Sequence, residues 1–230
     1  MKKYLIILGI LCAGTYTQAQ SIYVQGGVNF ANISSNNDGD VEDNHSLTSF
    51  NVGVMSRFGL SEFIDLEAGL LFTGKGAKAE TYFNGGEDYI KAKFNPYYIE
   101  LPVNLLVNIP MAATENKLFA YAGPYVAMGV GGKSKLSTKL GPLETETESN
   151  IEFNDDDPTT SGQEDAAYDR LKRFDFGANF GAGFQISRFI IKANYGLGFA
   201  KINSTAEDND SNDKNKYRTW SISLGIPLGN

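Results

Sequence analysis

The sequence lacks any long hydrophobic run, and it contains only one cysteine and one histidine. A helix needs about 20 apolar residues to cross a bilayer, so helical membrane spans are excluded. Cys12 is the only cysteine, so the chain cannot form an internal disulfide. There is also no HExxH motif and no phosphate-binding glycine loop, so the commonest metal and nucleotide chemistries have no motif here.

The N-terminus has the layout of a secretory signal peptide. Lys2 and Lys3 precede a short apolar run, which ends in small and polar residues up to Ala19. This order predicts export with cleavage after Ala19, and one domain over residues 20–230.

The chain is rich in segments that alternate large apolar residues with small or polar ones. In residues 173–187, RFDFGANFGAGFQIS, every second position is apolar and the positions between are mostly glycine, asparagine, aspartate or glutamine. Such a period of two indicates a strand with one apolar face. Seven of eight segments keep this pattern over about nine residues, the length a tilted strand needs to cross a bilayer. The segment at 118–131 is ambiguous because both of its faces are apolar.

The connections between these segments alternate in length. Short links such as GLSE and SR alternate with long polar stretches, so the long ones gather at one end. This sorting is typical of outer-membrane barrels. The prediction is an all-β fold, an eight-stranded antiparallel up-and-down transmembrane barrel with short periplasmic turns and long extracellular loops.

Aromatic residues are sorted along the apolar faces. In seven of the eight strands, an aromatic residue stands at the end of the apolar face nearest the long loops. This placement predicts an aromatic girdle at the bilayer boundary. Its residues are Phe30, Phe50, Phe72, Tyr97, Phe174 or Phe176, Phe199 and Trp220.

Charged residues occur within the strands and are assigned to the inward face. An eight-stranded barrel is just wide enough for its own side chains to fill it, and buried charges need partners. The prediction is a paired network that fills the lumen, formed by Arg57, Asp65, Glu67, Glu100, Asp175, Lys192 and Arg218. A narrow proton or ion pathway, or a small ligand site, stays an alternative.

The net charge of −7 is concentrated in acidic connections, chiefly residues 34–47 and 144–169. An acidic exterior disfavours nucleic acid as a partner, because nucleic acid requires a basic face. The segments NDGDVEDNH and DNDSNDKNK could bind Ca²⁺, but solvated acidic loops are the simpler interpretation, and the second lacks the glycine and final acid of an EF-hand. His45 and Ser46 are adjacent, so their side chains diverge and do not form a hydrolase pair.

Several motifs resemble the PorT-like outer membrane β-barrel proteins of Bacteroidetes-type bacteria. These are QGGVNFANIS, YYIELPVNLLV, YAGPYVAMG, FDFGANFGAGFQI and NYGLGFAKI, and the most specific element is Tyr98, Glu100 and Pro102. The resemblance implies an outer-membrane barrel and carries no shared catalytic residues. The final residues, SISLGIPLGN, depart from the terminal aromatic usual in such barrels.

Together these observations predict a non-enzymatic, cofactor-free outer-membrane barrel with a filled lumen. Its expected contacts are outer-membrane lipid and an extracellular or envelope protein reached through acidic loops, and a monomer is expected. A narrow channel, a secretion-associated barrel and a soluble lipocalin-like binder stay open as alternatives.

Overall fold

The computed structural model describes residues 20–34, 46–111, 116–153, 170–200, 202 and 216–228. The predicted signal peptide, His45 and most of the acidic segments lie outside these residues. Within the described residues, no helix is long and apolar enough to cross a membrane.

The described chain consists of twelve strands and one short 3₁₀ turn, Asn84–Gly86. In chain order the strands are β1 (Gln20–Ser34), β2 (Leu47–Gly59), β3 (Ile64–Gly74), β4 (Ala77–Phe83), β5 (Asp88–Pro110), β6 (Lys117–Leu140), β7 (Leu143–Asn150), β8 (Glu152–Phe153), β9 (Arg170–Leu171), β10 (Phe174–Ile186), β11 (Phe189–Gly198) and β12 (Lys216–Pro227).

Eight of these strands close into a ring. Its order is β1, β2, β3, β5, β6, β10, β11 and β12, and every neighbouring pair is antiparallel. The ring closes because β12 pairs with β1 over twelve residue pairs, from Tyr23–Pro227 to Ser34–Lys216. The predicted all-β, eight-stranded up-and-down barrel is confirmed.

The period-two pattern decides which side chains face the barrel axis. Along β12, for example, Ser221 and Ser223 are buried, whereas Trp220, Ile222 and Leu224 are exposed. The outside of the ring is therefore apolar, as a transmembrane barrel requires, and the lumen is mainly polar.

The two ends of the barrel differ. One end has the short connections, including the two-residue turn of Ser187 and Arg188 between β10 and β11. All the long connections leave from the other end, which is called the long-loop end below.

A second layer of structure rises from the long-loop end, where the sequence suggested only loops. Strands β5 and β6 continue beyond the ring, β4 pairs with the extension of β5, and β7 pairs with that of β6. This four-stranded sheet, residues 77–83, 88–95, 133–140 and 143–150, is called the platform. The search for alternating apolar residues did not predict β4 and β7, because charged, hydroxyl-bearing and small residues alternate along these strands, as in LETETESN.

A β-bulge marks the base of the platform. Tyr98 pairs with Gly129 but Tyr97 pairs with Gly131, so Val130 is an extra residue on β6. The inserted residue reverses which alternate positions of β6 face outward. Lys133 and Lys135 therefore share the outward side with Asn95 and Lys93, their partners on β5.

Candidate functional site

The lower half of the lumen is organised around Glu67, whose side chain is completely buried. Its carboxylate accepts hydrogen bonds from Arg57 Nε at 2.8 Å and from the Tyr23 hydroxyl at 2.6 Å. It also accepts from Lys192 Nζ and, at 3.4 Å, from Asn104 Nδ2. One carboxylate thus balances two buried cations, and this group is called the lower cluster.

Aromatic rings cover the cations of the lower cluster. The Arg57 guanidinium lies 4.3 Å from the centre of the Phe119 ring, and Lys192 Nζ lies 4.6 Å from that of Tyr121. These inward rings explain why the segment at 118–131 is apolar on both faces. Cation–π contacts of this kind partly replace the lost hydration of the charges. A set of buried apolar side chains packs with these rings at the short-turn end, namely Tyr23, Met55, Leu106, Phe119, Tyr121 and Ile190.

A second charged group, the upper cluster, lies toward the long-loop end. Lys75 Nζ is 2.9 Å from Glu100 Oε2 and 2.9 Å from Asp175 Oδ2. Asn179 donates to Glu100, and the Tyr125 hydroxyl donates to Asp175. One cation here balances two carboxylates, so the two clusters carry opposite excess charge and the lumen as a whole is neutralised.

The upper cluster is covered by a second set of buried residues, which forms a cap. The hydroxyls of Tyr98 and Tyr217 lie 3.2 Å apart, and Phe153 packs edge-on against Tyr98. The buried members of this cap are Tyr98, Tyr125, Ala127, Ile151, Ile202 and Tyr217. Both ends of the lumen are therefore closed by packed side chains.

A polar chamber separates the two clusters. Its volume is about 50 Å³, which is room for a few water molecules. Amides and hydroxyls line it, including Gln25, Asn51, Asn104 and Ser223. The Gln25 Oε1 and Asn104 Oδ1 atoms are buried and accept no hydrogen bond from the described protein atoms. The chamber is therefore suited to ordered water rather than to a large solute.

The structure brings together five of the seven charged residues that the sequence assigned to the lumen. Arg57, Glu67 and Lys192 form one cluster, while Glu100 and Asp175 belong to the other. Among the described residues, no ion pair joins the other two, Asp65 and Arg218, to either cluster.

Asp65 and Arg218 depart from the predicted network in different ways. Asp65 is half-buried near the short turns, where it accepts a hydrogen bond from Asn108 at 2.8 Å. Arg218 lies on the outward face, because it shares the alternate positions of Trp220, and its Nη1 donates to the carbonyl of Gly198. Arg218 is therefore not part of the lumen.

Lys75 is the residue that sequence reasoning missed. It follows β3 in the segment GKGAKAE, which reads as a polar loop. Yet it keeps the inward alternation of Thr73, and its side chain is buried between two carboxylates. The signal that could have revealed it is that Glu100 and Asp175, both assigned to the lumen, needed a cation to balance their charge.

The predicted girdle residues lie on the outer surface at the long-loop end. Phe50, Phe72 and Tyr97 pack on one another, with ring centres 5.4–6.0 Å apart. Phe176 meets Phe199 at 6.5 Å on the opposite part of the ring. Phe30, Phe50, Phe174, Phe199 and Trp220 are exposed, and Phe72 and Tyr97 are half-exposed.

The other candidate chemistry falls largely outside the described chain. His45 and the segment NDGDVEDNH are not among the described residues, and only the last residue of DNDSNDKNK is. Among the residues that are described, no group of three or more histidine, cysteine, aspartate or glutamate side chains could hold a metal ion.

Comparisons with known proteins agree with this architecture. The model of the outer membrane protein beta-barrel domain family matches residues 18–204. No curated protein matches the chain.

Several solved structures match the chain at low identity. Ail, the attachment invasion locus protein of Yersinia pestis, is 16% identical with a TM-score of 0.41, covering 92% of this chain and all of that one. Neisserial surface protein A is 10% identical with a TM-score of 0.43, at 92% and 100% coverage. OprG from Pseudomonas aeruginosa is 10% identical with a TM-score of 0.42, at 92% and 97% coverage. The family match spans most of the sequence, and the chain therefore belongs to the outer membrane protein beta-barrel domain family and resides in the outer membrane.

Proposed function

We propose that this protein is a non-conducting outer-membrane barrel whose working surface is the platform and the acidic connections around it. The observation that carries the proposal is the filled lumen. Two charged clusters and two sets of packed side chains occupy the path along the axis, and only a small chamber separates them.

The energetics of the lumen favour a closed scaffold over a pore. Glu67 pairs with two buried cations, and Lys75 pairs with two buried carboxylates. Displacing either side chain would therefore leave two buried charges without a partner. Breaking a buried ion pair costs about 3–5 kcal/mol, and a solute would have to break both clusters to pass. The clusters therefore favour a role in stabilising the barrel over a role in conducting solutes through the lumen.

The platform offers a surface suited to contact with another molecule. Strands β4 and β7 lie at the two ends of the sheet order, and the face that continues the lumen side exposes Ile90 and Leu136. The acidic connections leave from the same end of the barrel, which adds negative charge nearby. An extracellular or envelope protein is the partner class that this combination fits.

Photo-crosslinking in intact cells tests the proposed working surface. A photoreactive residue at Leu136 on the platform is expected to form a discrete crosslink to another protein. The matched position Leu224 is similarly exposed but lies on the lipid-facing wall, and it is expected to give none. Equal protein crosslinking from both positions, or none from Leu136, would contradict the proposal.

A narrow channel is the second candidate, because the polar chamber could hold a short chain of water molecules. Planar-bilayer recordings of the purified chain separate the two functions. The closed-barrel proposal predicts no single-channel steps, whereas steps that change with Glu67→Gln or Lys75→Met would favour the channel.

We also infer membership of the PorT-like group, on the basis of the motif Tyr98, Glu100 and Pro102. All three side chains are buried toward the lumen, and Glu100 belongs to the upper cluster. This position gives the motif a structural role in filling the barrel.

A further inference from the structure

One face of the platform carries a concentration of lysines. Lys78 on β4 lies directly opposite Lys93 on β5, and Lys93 lies directly opposite Lys135 on β6. The neighbouring rows of the same face add three more lysines, namely Lys91, Lys133 and Lys139. This side of the sheet is called the lysine face.

The central row of the lysine face is unbalanced in charge. Like charges directly opposite each other across two strands are destabilising. Lys78 and Lys135 pair with Glu80 and Glu146, but exposed Lys93 forms no salt bridge among the described residues. Keeping three lysines in one row, in a chain of net charge −7, points to an external anion.

The acids on this face lie mainly at its edge. Glu144, Glu146 and Glu148 are all on β7, the last strand of the sheet. The hydrogen bond from Lys133 lowers the pKa of Glu148 and keeps its carboxylate ionised. These ion pairs are exposed, and exposed pairs are weak and easily exchanged for another anion.

The lysine face continues the lipid-facing wall of the barrel. Along β5, Lys93, Asn95 and Tyr97 occupy successive outward positions, and Asn95 Nδ2 donates to the Tyr97 hydroxyl. Tyr97 belongs to the aromatic girdle, so Lys93 lies four residues beyond the girdle, about 13 Å along the strand. Lys133 is closer, because its partner Asn95 is two residues from Tyr97. The headgroup layer is about 5–7 Å thick on each side of the bilayer, so Lys133 lies at its depth, and Lys93 lies above it within reach of a long lysine stem.

We propose that the lysine face binds the phosphate-bearing headgroups of the surrounding lipid leaflet. Its orientation selects lipid over a soluble polyanion, because the face is turned away from the barrel mouth and continues the lipid-facing wall. Long lysine stems can lie along the surface and bring the ammonium groups down to the phosphates. The binding does not depend on whether the lumen conducts or on what the other platform face contacts.

Spin-labelled lipids provide the test. The full chain is reconstituted in phosphatidylcholine vesicles containing a minor fraction of phosphatidylglycerol. Electron paramagnetic resonance then measures the preference of the protein-bound lipid shell for phosphatidylglycerol. The wild-type chain is expected to show a preference of about fivefold, and the triple variant K78Q/K93Q/K135Q almost none. The control K139Q removes a lysine of the same face that lies opposite Tyr89, eight residues beyond Tyr97 and about 26 Å along the strand, and it should keep the preference.

A second variant is expected to raise the lipid preference, which a folding defect would not do. E146Q/E148Q removes two acids from the edge of the same face, so the preference should rise above the wild-type value. Unchanged preference in both platform variants would overturn the proposal. It would also be overturned if the three lysines bound soluble polyphosphate in detergent while lipid preference stayed the same.

Discussion

Replacing Glu67 with glutamine is expected to lower the free energy of unfolding by about 3–5 kcal/mol, because it leaves two buried cations without their shared carboxylate. Arg57 and Lys192 both depend on this one side chain, which is completely buried. The measurement is the urea midpoint of the folded species, followed by heat-modifiable migration on gels.

Two variants show whether the charge, rather than the general fit of the lumen, causes the effect. Glu148→Gln removes an exposed partner of Lys133 and should leave the midpoint unchanged. The combined change of Arg57→Met, Glu67→Leu and Lys192→Met removes the whole charged group and should recover most of the loss. A Glu67→Gln protein as stable as the wild type would show that the lower cluster does not hold the barrel together.

Replacing Leu224 with arginine is expected to destabilise the barrel in lipid by about 2–4 kcal/mol, the cost of a cation near the bilayer midplane. Leu224 is 45% exposed on the outer wall. It lies four residues from Trp220, about 13 Å along β12. The quantity to measure is the free energy of unfolding in phospholipid vesicles.

Leu136→Arg is the matched control, because Leu136 is 48% exposed but lies on the platform. It should have little effect, since a charge there stays in water. Equal effects of the two substitutions, or no effect at Leu224, would mean that the apolar wall does not contact acyl chains. The same result would revive the soluble lipocalin-like alternative.

The ring could be predicted from sequence because its signal is repeated. Large apolar residues recur at alternate positions on the outer face of the ring strands. In β10, for example, Phe174, Phe176 and Phe180 are exposed, whereas Asp175 and Asn179 are buried. The alternation of short and long connections indicated which end of each strand lies at the long-loop end. Only the segment at 118–131 was ambiguous, because Phe119, Tyr121 and Tyr125 face inward and cover the charged groups.

The platform and the details of the lumen could not be predicted in the same way. Strands β4 and β7 have no apolar stripe, so their pairing depends on the neighbouring extensions of β5 and β6. The bulge at Val130 reverses the alternation of β6 without leaving a mark in the hydropathy pattern. Lys75 lies beyond the end of an apolar strand, and its role emerges only when Glu100 and Asp175 come together across the lumen.

Trp220 allows the most direct test of the central claim that the apolar face of the strands contacts lipid. It is the only tryptophan, its side chain is 60% exposed, and its ring packs 4.7 Å from that of Tyr195. Its fluorescence can therefore be measured in the unmodified chain, with quenchers in the lipid or in the water. We predict strong quenching by phospholipids brominated near the headgroup end of their acyl chains, and little by aqueous iodide. Quenching by iodide with none by brominated lipid would contradict the account.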